Sequence, residues 1–156
     1  MISAAGAKSL RPHTSASRVE IVLGSTREDD LTGLAAILKR SAWNIVQAPT
    51  CKQVACMAAD LQFPILLCDL RLEFQPWQET LRQLLTARCD ASVLFLANET
   101  DRAFSREVAR HGGFDLLTRP FERDQVFESL LFAYSRHKLS WPIAFIGHDS
   151  EERLRR

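Results

Sequence analysis

Two ionisable residues stand at the ends of apolar segments, where a folded chain can use them for chemistry. Asp69 closes the run PILLCD, and Arg119 follows the run FDLL by two residues. A carboxylate that ends a buried strand is costly to bury alone, so it either pairs with a cation such as Arg119 or takes part in chemistry. Asp69 is therefore the first candidate for a functional residue.

From Arg18 onward, short apolar runs alternate five times with segments of helical periodicity. Apolar residues repeat at i, i+3, i+4 and i+7 in two of these segments, from Leu31 to Leu38 and from Val54 to Leu61, and a fifth helix is predicted from Asp124 to Lys138. The alternation predicts an α/β fold, a doubly wound sheet of five parallel strands in a three-layer α/β/α arrangement. The predicted strands run from Val19 to Gly24, Trp43 to Gln47, Pro64 to Asp69, Ser92 to Ala97 and Phe114 to Leu117.

In such sheets the functional crevice lies beyond the carboxyl ends of the strands. The residues that reach this edge come from four distant parts of the sequence, so the fold and not the local sequence would bring them together. They are Ser25, Thr26, Asp69, Ala97, Asn98, Thr118, Arg119 and Pro120.

Two motifs carry a family likeness: ILLCDLRL, in which an aspartate ends the third strand, and GGFDLLTRPF, which joins glycine, strand, basic residue, proline and phenylalanine. Through them residues 18–138 resemble the receiver domains of two-component response regulators, which share a flavodoxin-like (βα)5 fold. The resemblance implies that Asp69 stands where a histidine kinase phosphorylates the family and that Arg119 replaces a lysine that reaches the phosphoryl group. It also implies a cis Arg119–Pro120 peptide bond.

Receiver domains carry a pair of acids after the first strand that hold Mg²⁺, and the corresponding positions here are Ser25 and Thr26. Because Mg²⁺ prefers carboxylates with water and phosphate, we expect no metal site. The two hydroxyls are then expected to approach and cap the first helix. Glu28, Asp29 and Asp30 would supply metal ligands only in a longer loop; in the first turn they complement the helix dipole.

Other positions also depart from the resemblance. Ala97 stands where the family has a serine or threonine, Leu116 replaces a switching aromatic residue, and Glu73 replaces a proline. A guanidinium in place of lysine favours a bidentate pair between Arg119 and Asp69. The pattern predicts a pseudo-receiver, which takes part in two-component signalling through protein contacts without phosphorylation or enzymatic activity.

Two alternatives remain open. In the first, the domain is a competent receiver that a histidine kinase phosphorylates on Asp69 with Mg²⁺. In the second, the hydroxyl-rich segment IVLGSTREDDLTG binds FMN as in flavodoxins. The acids at Glu28, Asp29 and Asp30 disfavour FMN because they would repel its phosphate at the helix start.

Composition excludes several other classes. With 20 basic and 19 acidic residues the net charge is +1, so no basic surface is predicted for nucleic acid, and no apolar run is long enough to span a membrane. We expect a cytoplasmic protein. The four cysteines, Cys51, Cys56, Cys68 and Cys89, lack metal-ligand spacing and are expected to be reduced. The four histidines are scattered and are expected to be solvated or to cap helices.

The ends of the chain are predicted separately. Residues 1–17 are expected to be a disordered tail, and residues 139–156 a C-terminal extension or the start of a linker. The stretch WPIAFIG would lie back on the domain, add a strand at a sheet edge, or meet another protomer. A homodimer is expected through the fourth helix, fifth strand and fifth helix, which carry Arg102, Arg106, Glu107, Arg110, Arg123, Asp124 and Glu128.

Overall fold

A computed structural model describes the backbone of residues 19–146 and the side chains of residues 19–139. Five parallel strands form one sheet, as the sequence predicts: β1 (Val19–Gly24), β2 (Trp43–Ala48), β3 (Ile65–Asp69), β4 (Ser92–Ala97) and β5 (Asp115–Thr118). Their order in the sheet is β2-β1-β3-β4-β5. The helices are α1 (Glu28–Leu38), α2 (Cys51–Ala58), α3 (Trp77–Ala87), α4 (Ser105–Arg110) and α5 (Arg123–Ile146), with 3-10 turns at Leu72–Phe74 and Glu99–Phe104.

Strands β3 and β4 are almost continuously apolar because helices cover both faces of the sheet, so the side chains on both sides of each strand are buried. One core layer joins β-strand side chains to α1 and α5 through Leu34, Leu38, Val126 and Leu130. The other joins them to α2, α3 and α4 through Val54, Trp77, Leu81, Leu84 and Val108. Trp43 and Trp77 are both buried, one in each layer of the core.

Local sequence explains where the elements begin and end. Thr50 accepts a hydrogen bond from the Gln53 amide and so caps α2. Gly112, which follows the C-cap residue His111 of α4, adopts φ 102°, a conformation that suits glycine. At the end of β1, a Cβ on Gly24 would lie 2.7 Å from Val54 Cγ2, so glycine is needed for α2 to pack closely at this edge of the sheet.

The fifth helix is longer than predicted, because it continues past Lys138 to Ile146. The interpretation of WPIAFIG as an added edge strand is therefore wrong, since residues 141–146 are helical. The predicted N-terminal tail and the last ten residues lie outside the described part of the chain. Between residues 19 and 146, no helix is long and apolar enough to cross a membrane.

One histidine also departs from expectation. His137 on α5 is buried, with its Nε2 atom 2.9 Å from Ser92 Oγ at the start of β4. His111 is exposed and its Nδ1 lies 2.9 Å from the Glu107 carbonyl oxygen at the end of α4, as a capping role requires. The four cysteines carry free thiols, and those of Cys51 and Cys68 are buried.

Candidate functional site

The segment between β1 and α1 brings a serine and an aspartate together at the carboxyl edge of the sheet. Ser25 is buried; its Oγ accepts a hydrogen bond from the Arg27 amide and donates one of 2.8 Å to Asp30 Oδ2. Thr26 is exposed, and the N-cap residue of α1 is Arg27, which makes no side-chain cap. Ser25 therefore takes part in the approach to the first helix, as predicted, but the predicted capping role is wrong because neither hydroxyl caps α1.

Asp30 is the most deeply buried carboxylate of this edge, with 1% of its side chain exposed. The Arg119 guanidinium donates to both of its oxygens, from Nε to Oδ1 at 2.7 Å and from Nη2 to Oδ2 at 2.8 Å. Burial opposes ionisation, but the hydrogen bonds from Arg119 and Ser25 outweigh it and hold the pKa of Asp30 below its usual value. A bidentate pair of this kind is strong and fixes the orientation of both partners.

The same guanidinium reaches two further residues. Its Nη2 atom lies 3.3 Å from Asp69 Oδ1, and its Nη1 donates to Asn98 Oδ1 at 3.1 Å. Burial also opposes the charge of Arg119, yet the hydrogen bond and the charge of Asp30 raise its pKa. The predicted ion pair with Asp69 exists, but Asp30 and not Asp69 is the bidentate partner. The Arg119–Pro120 bond is cis.

Asp69 ends β3, with 14% of its side chain exposed. Its Oδ1 atom also accepts a hydrogen bond from the Arg71 amide at 3.1 Å. The neighbouring strand ends at Ala97, which is fully buried and offers no hydroxyl. Asp69 is thus held by one backbone amide and one shared guanidinium.

A second ion pair borders the site. Arg71 donates to both oxygens of Asp101 at 2.8 Å, and Asp101 Oδ2 also accepts a hydrogen bond from the Asn98 amide. The hydrogen bonds from Arg71 lower the pKa of Asp101, although burial opposes this. The pair ties the loop after β3 to the loop after β4, where Asn98 and Asp101 form a capping box.

Sequence reasoning correctly placed Asp30 in the first turn of α1, with a metal-ligand role only in a longer loop, but it missed the contacts of Asp30 in the site. The available signal was its phase: Asp30, Leu34 and Leu38 are the buried residues of α1 and recur every fourth residue. An acid in register with an apolar stripe must turn toward the core, where it needs a partner. The Asn98-x-x-Asp101 spacing was the corresponding signal for the second ion pair.

The donor set does not fit Mg²⁺. Asp30 and Asp69 are the two carboxylates that contact the Arg119 guanidinium, which bridges them. Glu28 and Asp29 are exposed on the first turn of α1, and no group of three or more metal-ligating residues forms in the part of the chain described. A cation that requires octahedral carboxylate and water ligands would have to displace Arg119 from both acids.

Comparison with known proteins identifies the fold. No family model matches the chain, and no curated protein matches its sequence. A solved receiver domain of a response regulator from Bacteroides fragilis superimposes with a TM-score of 0.66 at 15% identity, over 75% of this chain and 97% of that one. The chain has the fold of a response-regulator receiver domain.

Two other solved structures share this receiver fold. The beryllofluoride-activated NtrC4 receiver domain dimer matches with a TM-score of 0.66 at 15% identity, over 76% of this chain and 98% of that one. NtrX from Brucella abortus matches with a TM-score of 0.72 at 15% identity, over 83% of this chain but only 30% of its own. The fold predicted from the two motifs is therefore confirmed.

Proposed function

We propose that this chain is a pseudo-receiver, a signalling module that contacts protein partners without phosphorylation of Asp69. One observation carries the proposal. The Arg119 guanidinium donates to both oxygens of Asp30 and lies 3.3 Å from Asp69, so a fixed cation already occupies the space between the two acids. The negative charges at this edge of the sheet are therefore offset by an arginine of the same chain.

Phosphoryl transfer depends mainly on positioning and on neutralisation of the transferred group's charge. A phosphoryl group on Asp69 would add negative charge beside Asp30, and the nearest cation is already shared between these two acids. Drawing Arg119 onto the phosphoryl group would leave Asp30 buried without its counter-ion, at a cost of about 3–5 kcal/mol. This cost disfavours the phosphorylated state.

The neighbouring strand supports the same conclusion. Ala97 ends β4 without a hydroxyl, and the Asn98 side-chain oxygen accepts a hydrogen bond from Arg119. A phosphoryl group on Asp69 would therefore meet no free hydroxyl donor from the end of β4. The means of passing a phosphorylation signal into the adjacent loop is missing.

The proposal is tested by incubating the protein with acetyl phosphate or phosphoramidate, with and without Mg²⁺, and measuring its intact mass. We expect no phosphate adduct under either condition. An adduct that requires Mg²⁺ and disappears in Asp69→Asn would instead establish a competent receiver. A known receiver domain treated in parallel shows that the phosphodonor is active.

A second copy of the chain is the partner that we propose through α4, β5 and α5. Arg102 lies in the 3-10 turn before α4 and not on the fourth helix as predicted. It pairs with Glu99 of the same turn, and Arg110 of α4 pairs with Glu107. Apolar side chains of α5 are exposed instead: Leu131, Phe132 and Leu139. Light scattering of the wild type and of Phe132→Asp tests this contact, since a dimer should dissociate in the variant; a wild type that stays monomeric at high concentration contradicts it.

A further inference from the structure

A histidine attaches the last part of α5 to the sheet. The helix starts near the carboxyl edge, after β5, and reaches the opposite edge, where the strands begin, at His137. There His137 Nε2 lies 2.9 Å from Ser92 Oγ, at the start of β4. The ring also hydrogen-bonds the carbonyl oxygen of Pro64, the residue before β3. His137 therefore joins α5 to the starts of two neighbouring strands.

Beyond His137, the side chains that are described on α5 lie on the surface. His137 is 7% exposed and Ser92 is fully buried, whereas Lys138 and Leu139 are exposed. The backbone of the helix nevertheless continues to Ile146. The direction in which this end of α5 leaves the domain therefore depends on the contact of His137.

The hydrogen bonds around Ser92 suit a neutral imidazole. The Arg136 guanidinium donates to Ser92 Oγ and cannot accept a hydrogen bond in return. The Ser92 hydroxyl can then give its own hydrogen to His137 Nε2, while the ring donates to Pro64. A proton on Nε2 would place a second cationic donor on the same oxygen and would leave the hydroxyl hydrogen without this acceptor.

The charges around the ring oppose its protonation as well. Arg136 belongs to α5 itself, and Arg88 and Asp90 lie between α3 and β4. Asp90, the acid of this group, already pairs with Arg88 at 2.8 Å. Burial, followed by the charge of Arg136, lowers the pKa of His137 and outweighs the opposing effects of Asp90 and Pro64. A protonated ring is therefore more stable in water than within this cluster.

Separation of the last turns of α5 would disturb little else in the fold. The next buried side chain toward the start of the helix is Ala133, one turn before His137. Tyr134 lies between them and packs against Trp43 and Phe63, so the helix stays attached up to this turn. The separation exposes one buried imidazole, and water can bind the groups that it leaves. Local openings of this size need much less free energy than global unfolding.

We propose that His137 is an acid-sensitive latch, which holds the end of α5 on the sheet while the ring is neutral and releases the helix beyond Tyr134 when the ring is protonated. Because the attached state disfavours the proton, release is increasingly favoured as the pH falls through and below the ordinary titration range of histidine. The end of α5 keeps one direction at neutral pH and gains others in acid. The inference goes beyond the proposed function, because the latch uses neither Asp69 nor Arg119.

The test follows the distance between the segment before β4 and the end of α5 in the full chain. A nitroxide is attached to Cys89, which is exposed, and Cys56→Ser removes the other exposed thiol; the remaining two cysteines are buried. Cys89 precedes Ser92 by three residues and therefore lies within about 11 Å of it. The label is thus close to the contact between Ser92 and His137.

At about pH 7.5 the nitroxide should strongly broaden the NMR amide signals of Lys138 and Leu139. The broadening should fall about twofold or more by about pH 5, because it declines steeply with distance. The midpoint of this fall should match the midpoint at which the imidazole signals of His137 titrate. The signals of β1 and β5 should keep their dispersion, which shows that the domain remains folded.

His137→Gln separates the latch from other titrating groups. Its carboxamide can accept a hydrogen bond from Ser92 and donate one to Pro64, but it takes up no proton in this range. The broadening at the end of α5 should then be independent of pH. His111→Gln is the matched control, because His111 is an exposed histidine at the end of α4; this variant should respond like the wild type.

Three results would overturn the proposal. In the first, the broadening stays constant while His137 titrates. In the second, it falls with pH in His137→Gln as well. In the third, His137 takes up no proton until the signals of the whole fold collapse together. None of these results depends on phosphorylation of Asp69, so the latch and the proposed function fail independently.

Discussion

The two ends of the sheet bury ionisable side chains in opposite ways. At the carboxyl edge, Asp30 and Asp69 share the guanidinium of Arg119. At the amino edge, His137 of α5 lies against Ser92 at the start of β4, and the Arg136 guanidinium also donates to the Ser92 hydroxyl. The first group is buried with its counter-ion, whereas the second is buried beside a charge of its own sign.

This difference shows two ways in which a protein can bury an ionisable side chain: it can pair the charge, or it can favour the neutral form. Burial penalises the charged form of any side chain, and an opposite charge offsets that penalty while a like charge adds to it. Burial and the nearby Arg136 lower the pKa of His137 by more than Asp90 raises it, which favours the neutral imidazole, whereas the partners of Asp30 favour its charged form. Breaking the ion pair should therefore be far more costly than changing the neutral contact.

The largest effect is expected from Arg119→Ala, which leaves Asp30 buried without its counter-ion. The free energy of unfolding should fall by about 3–5 kcal/mol, measured by urea denaturation. Arg27→Ala is the matched control, because Arg27 is 46% exposed and its Nε lies 3.8 Å from Asp30 Oδ1; its loss should cost less than about 1 kcal/mol. Equal losses in the two variants would contradict the assigned role of Arg119.

A smaller effect is expected at the second ion pair of the carboxyl edge. Asp101→Ala removes the acceptor for Arg71 and for the Asn98 amide. Because the Arg71 side chain is about half exposed, the loss should be about 1–2 kcal/mol, mostly from the cap. Amide hydrogen exchange in the variant should be faster than in the wild type in the loops after β3 and β4 and unchanged in β1. An equal change in exchange rate throughout the chain would contradict this link between the loops.

The smallest effect is expected at the amino edge and depends on pH. Since the pKa of folded His137 is lowered, the unfolded chain binds more protons near and below pH 6.5, and stability should decline as the pH falls through that range. Asp30 has a lowered pKa too, but its contribution is lost only as the pH falls below the usual range of carboxyl groups.

Replacing His137 distinguishes the contributions of the two edges to the pH dependence of stability. His137→Gln should flatten the decline in stability between about pH 7 and pH 5, as measured by thermal unfolding across that range. Asp30 remains ionised there, so the variant should still lose stability at more acidic pH. The slope belongs to another group if His137→Gln leaves it unchanged.

Sequence patterns predicted the sheet and the convergence of Asp69, Asn98 and Arg119 because strand ends in a parallel sheet necessarily share an edge. The patterns did not predict that Arg119 forms its bidentate pair with Asp30 and not with Asp69, because that depends on the rotation of α1 about its axis. Asp30 recurs in phase with Leu34 and Leu38. The same oversight applies to His137, which follows the buried Val126, Leu130 and Ala133 at helical spacing.

Both missed residues are therefore ionisable groups on the apolar stripe of a helix. Their position on the helix predicts burial, whereas their charge predicts exposure. Three-dimensional packing decides such cases, because the group is buried only if a partner lies opposite. For Asp30 that partner is 89 residues away in sequence, and for His137 the contact with Ser92 spans 45 residues. No local pattern contains either contact.

The most direct test of the central claim follows Arg119 itself during a Mg²⁺ titration of the wild-type protein by NMR. The Arg119 Nε–H signal reports its bond to Asp30, and the Arg71 amide signal reports its bond to Asp69. If Arg119 stays bound to both carboxylates, both signals keep their positions as Mg²⁺ is added. A saturable shift of both signals, abolished in Asp69→Asn, would contradict it by showing that a divalent cation displaces Arg119 from the two carboxylates.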